Sequence, residues 1–334
     1  MIDLWFWLLA AALTTYVVLD GFDIGVGLLH LPLARDGEER HRFIKSVAPV
    51  WDGNEVWLIA GGGTLFAAFP ALFAAGFSGF YLPLTIFLWL LALRALGIEL
   101  QHQLGDAMWL RFWDYVFCAS SWLMALLLGA AIGCVVRGVP LSDEGTFFLP
   151  LWTDFSPHGQ VGVLDYYTLL TALTTATVLA LHGAAWLNLR LDGTLQDKVQ
   201  HSGRKLFPAA LILIALTAMA TFWIQPRALS NLRDYPAFVL FPLASVIGLF
   251  LLHRNWKGSQ RLAFAGSCLL LAGLMGSAAS SLWPYGLPSS LGAGGLSLAE
   301  TATSTYALGT MLMWWIPGMA IVTGYTYFVY SRLP

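Results

Sequence analysis

Long apolar segments, each of a length that crosses a lipid bilayer, follow one another along almost the whole chain. A transmembrane helix needs about 20 consecutive apolar residues. Hydrophobic residues make up 58% of the 334 residues and charged residues only 11%, against about 25% charged residues in a soluble domain. The sequence therefore predicts an all-α polytopic membrane protein that forms a single integral membrane domain, residues 1–334. Its net charge of −2 disfavours a nucleic-acid partner.

The apolar segments divide into about nine predicted transmembrane helices. The uncharged run from Val56 to Leu93 is too long for one helix, and Pro70 and the glycines within 76–79 favour a turn between two. The predicted helices are approximately 4–33, 43–70, 77–101, 113–136, 163–190, 205–225, 235–253, 261–284 and 303–331.

Positively charged residues are concentrated in alternate loops. Most Lys and Arg residues lie in the loops after the first, third, fifth and seventh helices, whereas the other loops between helices hold only Arg137, Arg227 and Arg233. Because positively charged loops remain in the cytoplasm, the chain is predicted to place its N-terminus outside and its C-terminus in the cytoplasm. The first helix lacks the features of a cleaved signal peptide and is expected to be retained.

Four acidic residues interrupt the first two predicted helices. Asp20 and Asp23 are three residues apart and share one helix face, as do Asp52 and Glu55. Asp52 is predicted to lie about 13 Å inside the second helix, at 1.5 Å per residue from Phe43. Because burial in hydrocarbon disfavours the charged form of a carboxyl group, such a group can exchange a proton near neutral pH. The functional interpretation is a proton path in the cytoplasmic half of the membrane.

The third predicted helix adds polar groups to the same side. Glu99 and His102 close the helix at its predicted cytoplasmic end, and Arg94 lies about two turns deeper than His102. The structural interpretation is that the acids pair with Arg94 or cap backbone turns, and that Asp23 and Glu55 only tune their neighbours. The pattern leaves this interpretation open beside the proton path.

Two functional classes remain open from the residues alone. One is a proton-coupled secondary transporter, and the other is a cofactor-free subunit of a larger bioenergetic complex. An inverted-repeat transporter carries corresponding broken helices in its two halves, whereas the acids here crowd into the first four helices. That asymmetry disfavours transport.

Residues that bind cofactors or metals are sparse. His182 is the only histidine well inside a predicted helix, and a lone histidine on an apolar helix is more often a hydrogen-bonded structural group than a ligand. Neither a CxxCH sequence nor a carboxylate–histidine metal pattern occurs. The sequence therefore predicts no catalytic, cofactor-binding or metal-binding residue in this chain.

Several stretches together resemble subunit II of the cytochrome bd family of quinol oxidases, including its cyanide-insensitive type. They are LDGFDIGVG, APVWDGNEVWLIAGGGTLFAAFP, FSGFYLPL and RALGIEL. The resemblance implies two four-helix bundles plus one peripheral helix, in a bacterial or archaeal plasma (inner) membrane. It also implies a partner, subunit I, that holds all three haems of the complex (haem b, with either haem d or only haem b), oxidises quinol and reduces O2 to water. A small single-helix subunit usually completes such a complex.

The same resemblance implies roles for individual residues. Subunit II of this family scaffolds subunit I and lines a proton route from the cytoplasm, so that O2 reduction generates a membrane potential without pumping. The residues that match this route are Asp20, Asp23, Asp52, Glu55, Arg94 and Glu99. A quinone or lipid bound between helices is compatible with the sequence, and the small residues of 272–280 are expected to pack against subunit I.

Overall fold

The computed structural model describes residues 1–101, 103–159, 161–292 and 294–332. These residues form α-helices joined by short loops, a single-turn 3-10 helix at Pro236–Val239 and one two-stranded antiparallel sheet. The helices are α1 (Ile2–Leu33), α2 (Gly37–Val47), α3 (Trp51–Ala68), α4 (Pro70–Gly79), α5 (Tyr81–Glu99), α6 (Ala107–Arg137), α7 (Tyr166–Arg190), α8 (Gly193–Ile224), α9 (Arg227–Asp234), α10 (Leu240–Asn255), α11 (Gln260–Leu282), α12 (Leu298–Thr301) and α13 (Thr305–Ser331). The strands are β1 (Tyr285–Pro288) and β2 (Gly295–Ser297).

Eight helices in the described part of the chain are long and apolar enough to cross a membrane, or nine if the bent pair α3–α4 counts as one crossing. The chain bends by 120° between the two helices of that pair, at Phe69, because Pro70 has no N–H with which to continue the hydrogen bonding of α3. The prediction of an all-α polytopic membrane protein with about nine transmembrane helices is confirmed.

The segment predicted as one helix over 43–70 is two helices in the structure. α2 ends at Val47 and α3 begins at Trp51, with Pro49 between them, and a proline ring at that position interrupts a helix. α2 is short and strongly charged, and it begins where the Asp36 side chain accepts a hydrogen bond from the Glu39 N–H at 2.9 Å. The apolar crossing therefore begins about two turns later than the sequence predicted.

The crossing helices form two groups of four and one peripheral helix. α1, α3, α5 and α6 make one group, and α7, α8, α10 and α11 make the other. The groups meet where α1 and α6 pack against α7, and α1 crosses α7 closely. A Cβ on Gly25 would lie 2.1 Å from Leu179 O, and one on Gly183 would lie 2.3 Å from the Gly25 carbonyl carbon, so only glycine permits this approach. The peripheral helix α13 is mostly exposed, and Leu308 is its one buried residue.

The small residues of 272–280 pack inside the chain. A Cβ on Gly273 would lie 2.4 Å from Ser245 Oγ, and one on Gly276 would lie 2.1 Å from the Phe241 ring. These glycines thus permit close packing of α10 on α11. The expectation that this segment packs against subunit I is wrong for both of them.

Candidate functional site

Three predicted site residues meet around the Arg94 guanidinium, between α1, α3 and α5. Arg94 Nη2 donates a 2.6 Å hydrogen bond to Asp20 Oδ1 and a further hydrogen bond to Glu55 Oε1. The side chains of Arg94 and Asp20 are 0% exposed, whereas that of Glu55 retains 22% exposure. The pairing of acids with Arg94 that the sequence left open therefore exists for Asp20 and Glu55.

Asp23 lies one turn further along α1 and has a different partner. Asn54 Nδ2 donates to Asp23 Oδ2 at 2.7 Å and to Leu19 O at 3.1 Å, and both side chains are buried. Because one guanidinium balances one carboxylate, three carboxyl groups around Arg94 form a group that can hold exchangeable protons. The acid cluster, as we name it, consists of Asp20, Asp23, Glu55 and Arg94.

A polar cavity of about 280 Å³ opens beside the first turn of α3 and reaches toward the acid cluster. Asp52 and Glu99 line this cavity and are exposed, and Asn54 and Tyr330 line it as well. Two exposed acids, Asp52 and Glu99, therefore line the same cavity as Asn54, whose amide hydrogen-bonds Asp23.

The predicted depth of Asp52 is wrong. Because α3 begins at Trp51, Asp52 lies in its first turn and is exposed, not deep within a helix. Asp52 and Glu55 also have separate surroundings, since Glu55 bonds Arg94 while Asp52 faces the polar cavity. Their spacing places them on one helix face, but the two ends of that face have different neighbours: α5 near Glu55 and the polar cavity near Asp52.

Glu99 is the second acid of the polar cavity. It accepts a hydrogen bond from Trp51 Nε1 at 3.2 Å, which connects the end of α5 to the start of α3. Its predicted neighbour His102 lies outside the described residues.

Three further residues belong to the site, although no sequence pattern described above points to them. Tyr16 is buried one turn before Asp20 and interacts with it electrostatically. The Tyr330 hydroxyl, at the end of α13, donates to Asn54 Oδ1 at 2.9 Å. The i, i+4 spacing of Tyr16 and Asp20 was the available signal, whereas Asn54 and Tyr330 are neutral and join the site only through tertiary contacts.

A second buried polar network lies near the end of α1. His30 Nε2 and Asp114 Oδ1 are 2.7 Å apart, Arg40 Nη1 donates to Asp114 Oδ2 at 3.2 Å, and Gln101 also donates to Asp114. These contacts join α1, α2 and the residues after α5 to α6. We interpret the network as a structural clamp.

Two other buried polar residues also have structural partners. Arg137 pairs with Asp165, which begins α7 by accepting a hydrogen bond from the Tyr167 N–H at 2.7 Å. His182 Nδ1 lies 2.7 Å from Ser267 Oγ, and its Nε2 lies 2.9 Å from Val18 O. His182 thus joins α7 to α1 and α11, as expected for a hydrogen-bonded structural histidine.

An apolar groove of about 360 Å³ runs between α7, α8, α10 and α11. Tyr167, Thr171, Ile214, Leu249 and Met275 are among its lining residues. Within the described ranges, no three His, Cys, Asp or Glu side chains are grouped so that they could hold a metal ion.

Proteins of known class resemble this chain over nearly its full length. A model of the family described as "Cytochrome bd terminal oxidase subunit II" matches residues 1–333. The "Cytochrome bd-I ubiquinol oxidase subunit 2" of Escherichia coli is 28% identical over 361 residues, covering 99% of this chain and 93% of that protein. The "Cytochrome bd ubiquinol oxidase subunit 2" of Bacillus subtilis is 29% identical over 339 residues, covering 99% of this chain and 96% of that protein.

The fold agrees with the sequence match. A chain in the structure of bd oxidase from Geobacillus thermodenitrificans superposes with a TM-score of 0.76, covering 98% of this chain and 97% of that chain at 16% identity. The chain therefore belongs to the cytochrome bd terminal oxidase subunit II family and is a subunit of a terminal oxidase.

Proposed function

We propose that this chain conducts protons from the cytoplasm toward the oxygen-reducing centre of subunit I, the haem-bearing partner. The observation that carries the proposal is the polar cavity. The exposed acids Asp52 and Glu99 line it together with Asn54, which hydrogen-bonds Asp23. Asp23 in turn lies one helical turn from Asp20 in the acid cluster. Carboxyl groups in series form the proton relays of many membrane proteins.

Buried polar atoms of the site support such a path. The Tyr16 hydroxyl, Asp20 Oδ2, Asp23 Oδ1, and Arg94 Nε and Nη1 are buried with no hydrogen-bond partner among the described residues. Groups of this kind normally bond to internal water. Water in turn connects acids that are too far apart to exchange a proton directly.

Glu55 marks the end of the path toward subunit I. Its partly exposed side chain shares one face of α3 with Ile59 and Phe66, which are 73% and 61% exposed. A carboxyl group that faces lipid at membrane depth is costly, so a protein partner is the favoured neighbour. In this proposal subunit I covers that face, and the chain acts as its scaffold.

The chemistry of the oxidase lies with the partner. In this proposal subunit I holds haem b and a further b or d haem, oxidises quinol and reduces O2 to water, and a small single-helix subunit completes the complex. The chain itself supplies the proton path. Family membership disfavours the alternative, a proton-coupled secondary transporter that uses the same acids.

The proposed orientation places the N-terminus outside and the C-terminus in the cytoplasm of a bacterial or archaeal plasma (inner) membrane. The loop and short helix between α1 and α3 carry Arg35, Arg40, Arg42 and Lys45, and this segment adjoins the polar cavity. Protons taken from the cytoplasm, together with protons released outside by quinol, create a membrane potential without pumping.

The apolar groove is proposed to hold a quinone tail or a lipid acyl chain. Its volume lies within the range of small-molecule sites, roughly 300–1,000 Å³. The lining is apolar apart from hydroxyl groups such as those of Tyr167 and Thr171. Solvent extraction of the purified complex followed by mass spectrometry distinguishes a quinone from a phospholipid.

The test of the proton path is Asp23→Asn in the complete oxidase. We expect proton uptake and quinol-driven O2 consumption to fall by about 100-fold or more, the effect of losing a positioned proton-transfer group, with the reduced haem spectrum unchanged. The matched control is Asp143→Asn, which should keep full turnover. Asp143 is an exposed acid in the loop between α6 and α7. Full turnover in Asp23→Asn would remove this acid from the path, and loss of haem would make its role structural.

A further inference from the structure

The Asn54 side chain lies between the polar cavity and Asp23. Its amide nitrogen donates to Asp23 Oδ2 at 2.7 Å, while its carbonyl oxygen accepts from the Tyr330 hydroxyl at 2.9 Å. Asn54 is 1% exposed, so Tyr330 and this amide lie between the exposed acids of the cavity and Asp23.

The orientation of the Asn54 amide follows from its partners. Leu19 O lies 3.1 Å from Asn54 Nδ2 and can only accept a hydrogen bond. The nitrogen must therefore face Leu19 and Asp23, which turns the carbonyl oxygen toward Tyr330. Because that oxygen can only accept, the Tyr330 hydroxyl must donate, and its proton points at Asn54.

An amide in this position does not relay protons. To pass a proton from Tyr330 to Asp23, Asn54 would gain a proton on its oxygen and lose one from its nitrogen, forming the unfavourable imidic acid tautomer. The hydrogen-bonded arrangement therefore separates the polar cavity from the acid cluster chemically, although it joins them geometrically. A proton from the polar cavity therefore passes Asn54 only when this side chain moves aside.

We propose that Asn54 and Tyr330 form a gate that controls the access of protons from the polar cavity to Asp23. This inference rests on the proposed proton path and adds two positioning residues to it. Tyr330 belongs to α13, whose one buried residue, Leu308, lies near its other end. Tyr330, which holds the gate shut, thus lies on α13, and α13 and α8 are the least buried of the crossing helices.

Titratable or charged groups surround the gate on four elements. From α1 they are Tyr16, Asp20 and Asp23, from α3 Asp52 and Glu55, from α5 Arg94 and Glu99, and from α11 Cys268. Neither gate residue needs to change its charge for the gate to open, because opening is a side-chain movement.

The direct test is Tyr330→Phe in the complete oxidase. This change removes one hydrogen bond from the closed gate, so the open population is expected to rise about two- to tenfold. The readout is the rate of proton uptake after the reduced complex mixes with O2, followed with a pH-indicator dye, with the haem spectrum as the check on assembly. Tyr327→Phe makes the same change on the same helix at a residue that is 76% exposed, and it should leave the rate unchanged.

Asn54→Asp provides an independent variant. A carboxyl group at this position can pass a proton without moving aside, so uptake should be faster than in the wild type, and adding Tyr330→Phe should have no further effect. Slower or unchanged uptake in Tyr330→Phe would overturn the gate, because slower uptake would make Tyr330 a proton carrier and unchanged uptake would make it structural.

Failure of the gate can be told from failure of the path. If Asp23→Asn and Asp52→Asn slow proton uptake while Tyr330→Phe does not speed it, only the gate is wrong. If the acid variants also leave uptake unchanged, the proposed path itself is wrong and the gate with it.

Discussion

The Arg94 guanidinium on α5 donates a 2.6 Å hydrogen bond to the Asp20 carboxylate on α1, and both side chains are completely buried. Removing one partner of a buried ion pair leaves an uncompensated charge, which costs about 3–5 kcal/mol. We therefore expect Arg94→Met to lower the thermal stability of the complex strongly, as measured by the unfolding temperature in detergent.

A double variant separates the structural role of this pair from its proposed role in proton transfer. Replacing both partners of a buried ion pair by apolar residues is often close to neutral, so Arg94→Met with Asp20→Leu should recover much of the stability. Proton uptake should remain slow in the double variant. Recovery of uptake together with stability would show that the pair is only structural.

Asp52 and Glu99 are both exposed and line the same polar cavity. Either acid can therefore take up protons when the other is replaced. Asp52→Asn should lower turnover by well under the roughly 100-fold expected for a unique proton-transfer group, with the haem spectrum intact. Combining it with Glu99→Gln should lower turnover much further. Additive small losses, or full activity in the double variant, would contradict a shared entrance.

Glu39 accepts hydrogen bonds from the Lys198 ammonium and the Arg35 N–H, which hold the pKa of that carboxyl group below its usual range. A depressed folded-state pKa stabilises the protein above the unfolded-state value of about 4.3, and this stabilisation is lost as the pH falls through the folded-state value. Because the pair is partly exposed, Glu39→Gln should cost at most about 1 kcal/mol at neutral pH.

Thermal unfolding at two pH values checks this effect. The difference between wild type and Glu39→Gln should be present at neutral pH and disappear in acid, whereas Glu38→Gln, at an exposed neighbour, should have little effect at either pH. A difference that persists in acid would show that the contact does not depend on the charge of Glu39.

The crossing of α1 and α7 depends on two glycines. Gly183→Ala would place a Cβ 2.3 Å from the Gly25 carbonyl carbon, and overpacking of this kind costs about 1–3 kcal/mol or more. The control is Gly324→Ala in the mostly exposed helix α13, where a Cβ would meet nothing within 4 Å and the helix should gain roughly 0.5–1 kcal/mol. Equal stability of the two variants would disprove a tight crossing.

Part of the site could be predicted because charge in an apolar helix is conspicuous. Asp20, Asp23 and Arg94 stand out in uncharged surroundings, and the structure brings them together in the acid cluster. Asn54 and Tyr330 do not stand out, because a neutral amide and a tyrosine disturb neither hydropathy nor charge. Their role depends on a contact between α3 and the end of α13, which are 276 residues apart at this point.

The sequence by itself determined that the chain is a multi-span helical membrane protein with acids in its first helices. Hydropathy and charge act locally, and every backbone group in a bilayer must be bonded within its own helix. Only the tertiary structure decided which acids are buried with Arg94 and which line the polar cavity. Asp52 and Glu55 share one helix face, but Asp52 lies in the first turn after Pro49 while Glu55 reaches Arg94. That division depends on where α3 begins and how α5 packs against it, and neither is encoded in the spacing of two residues.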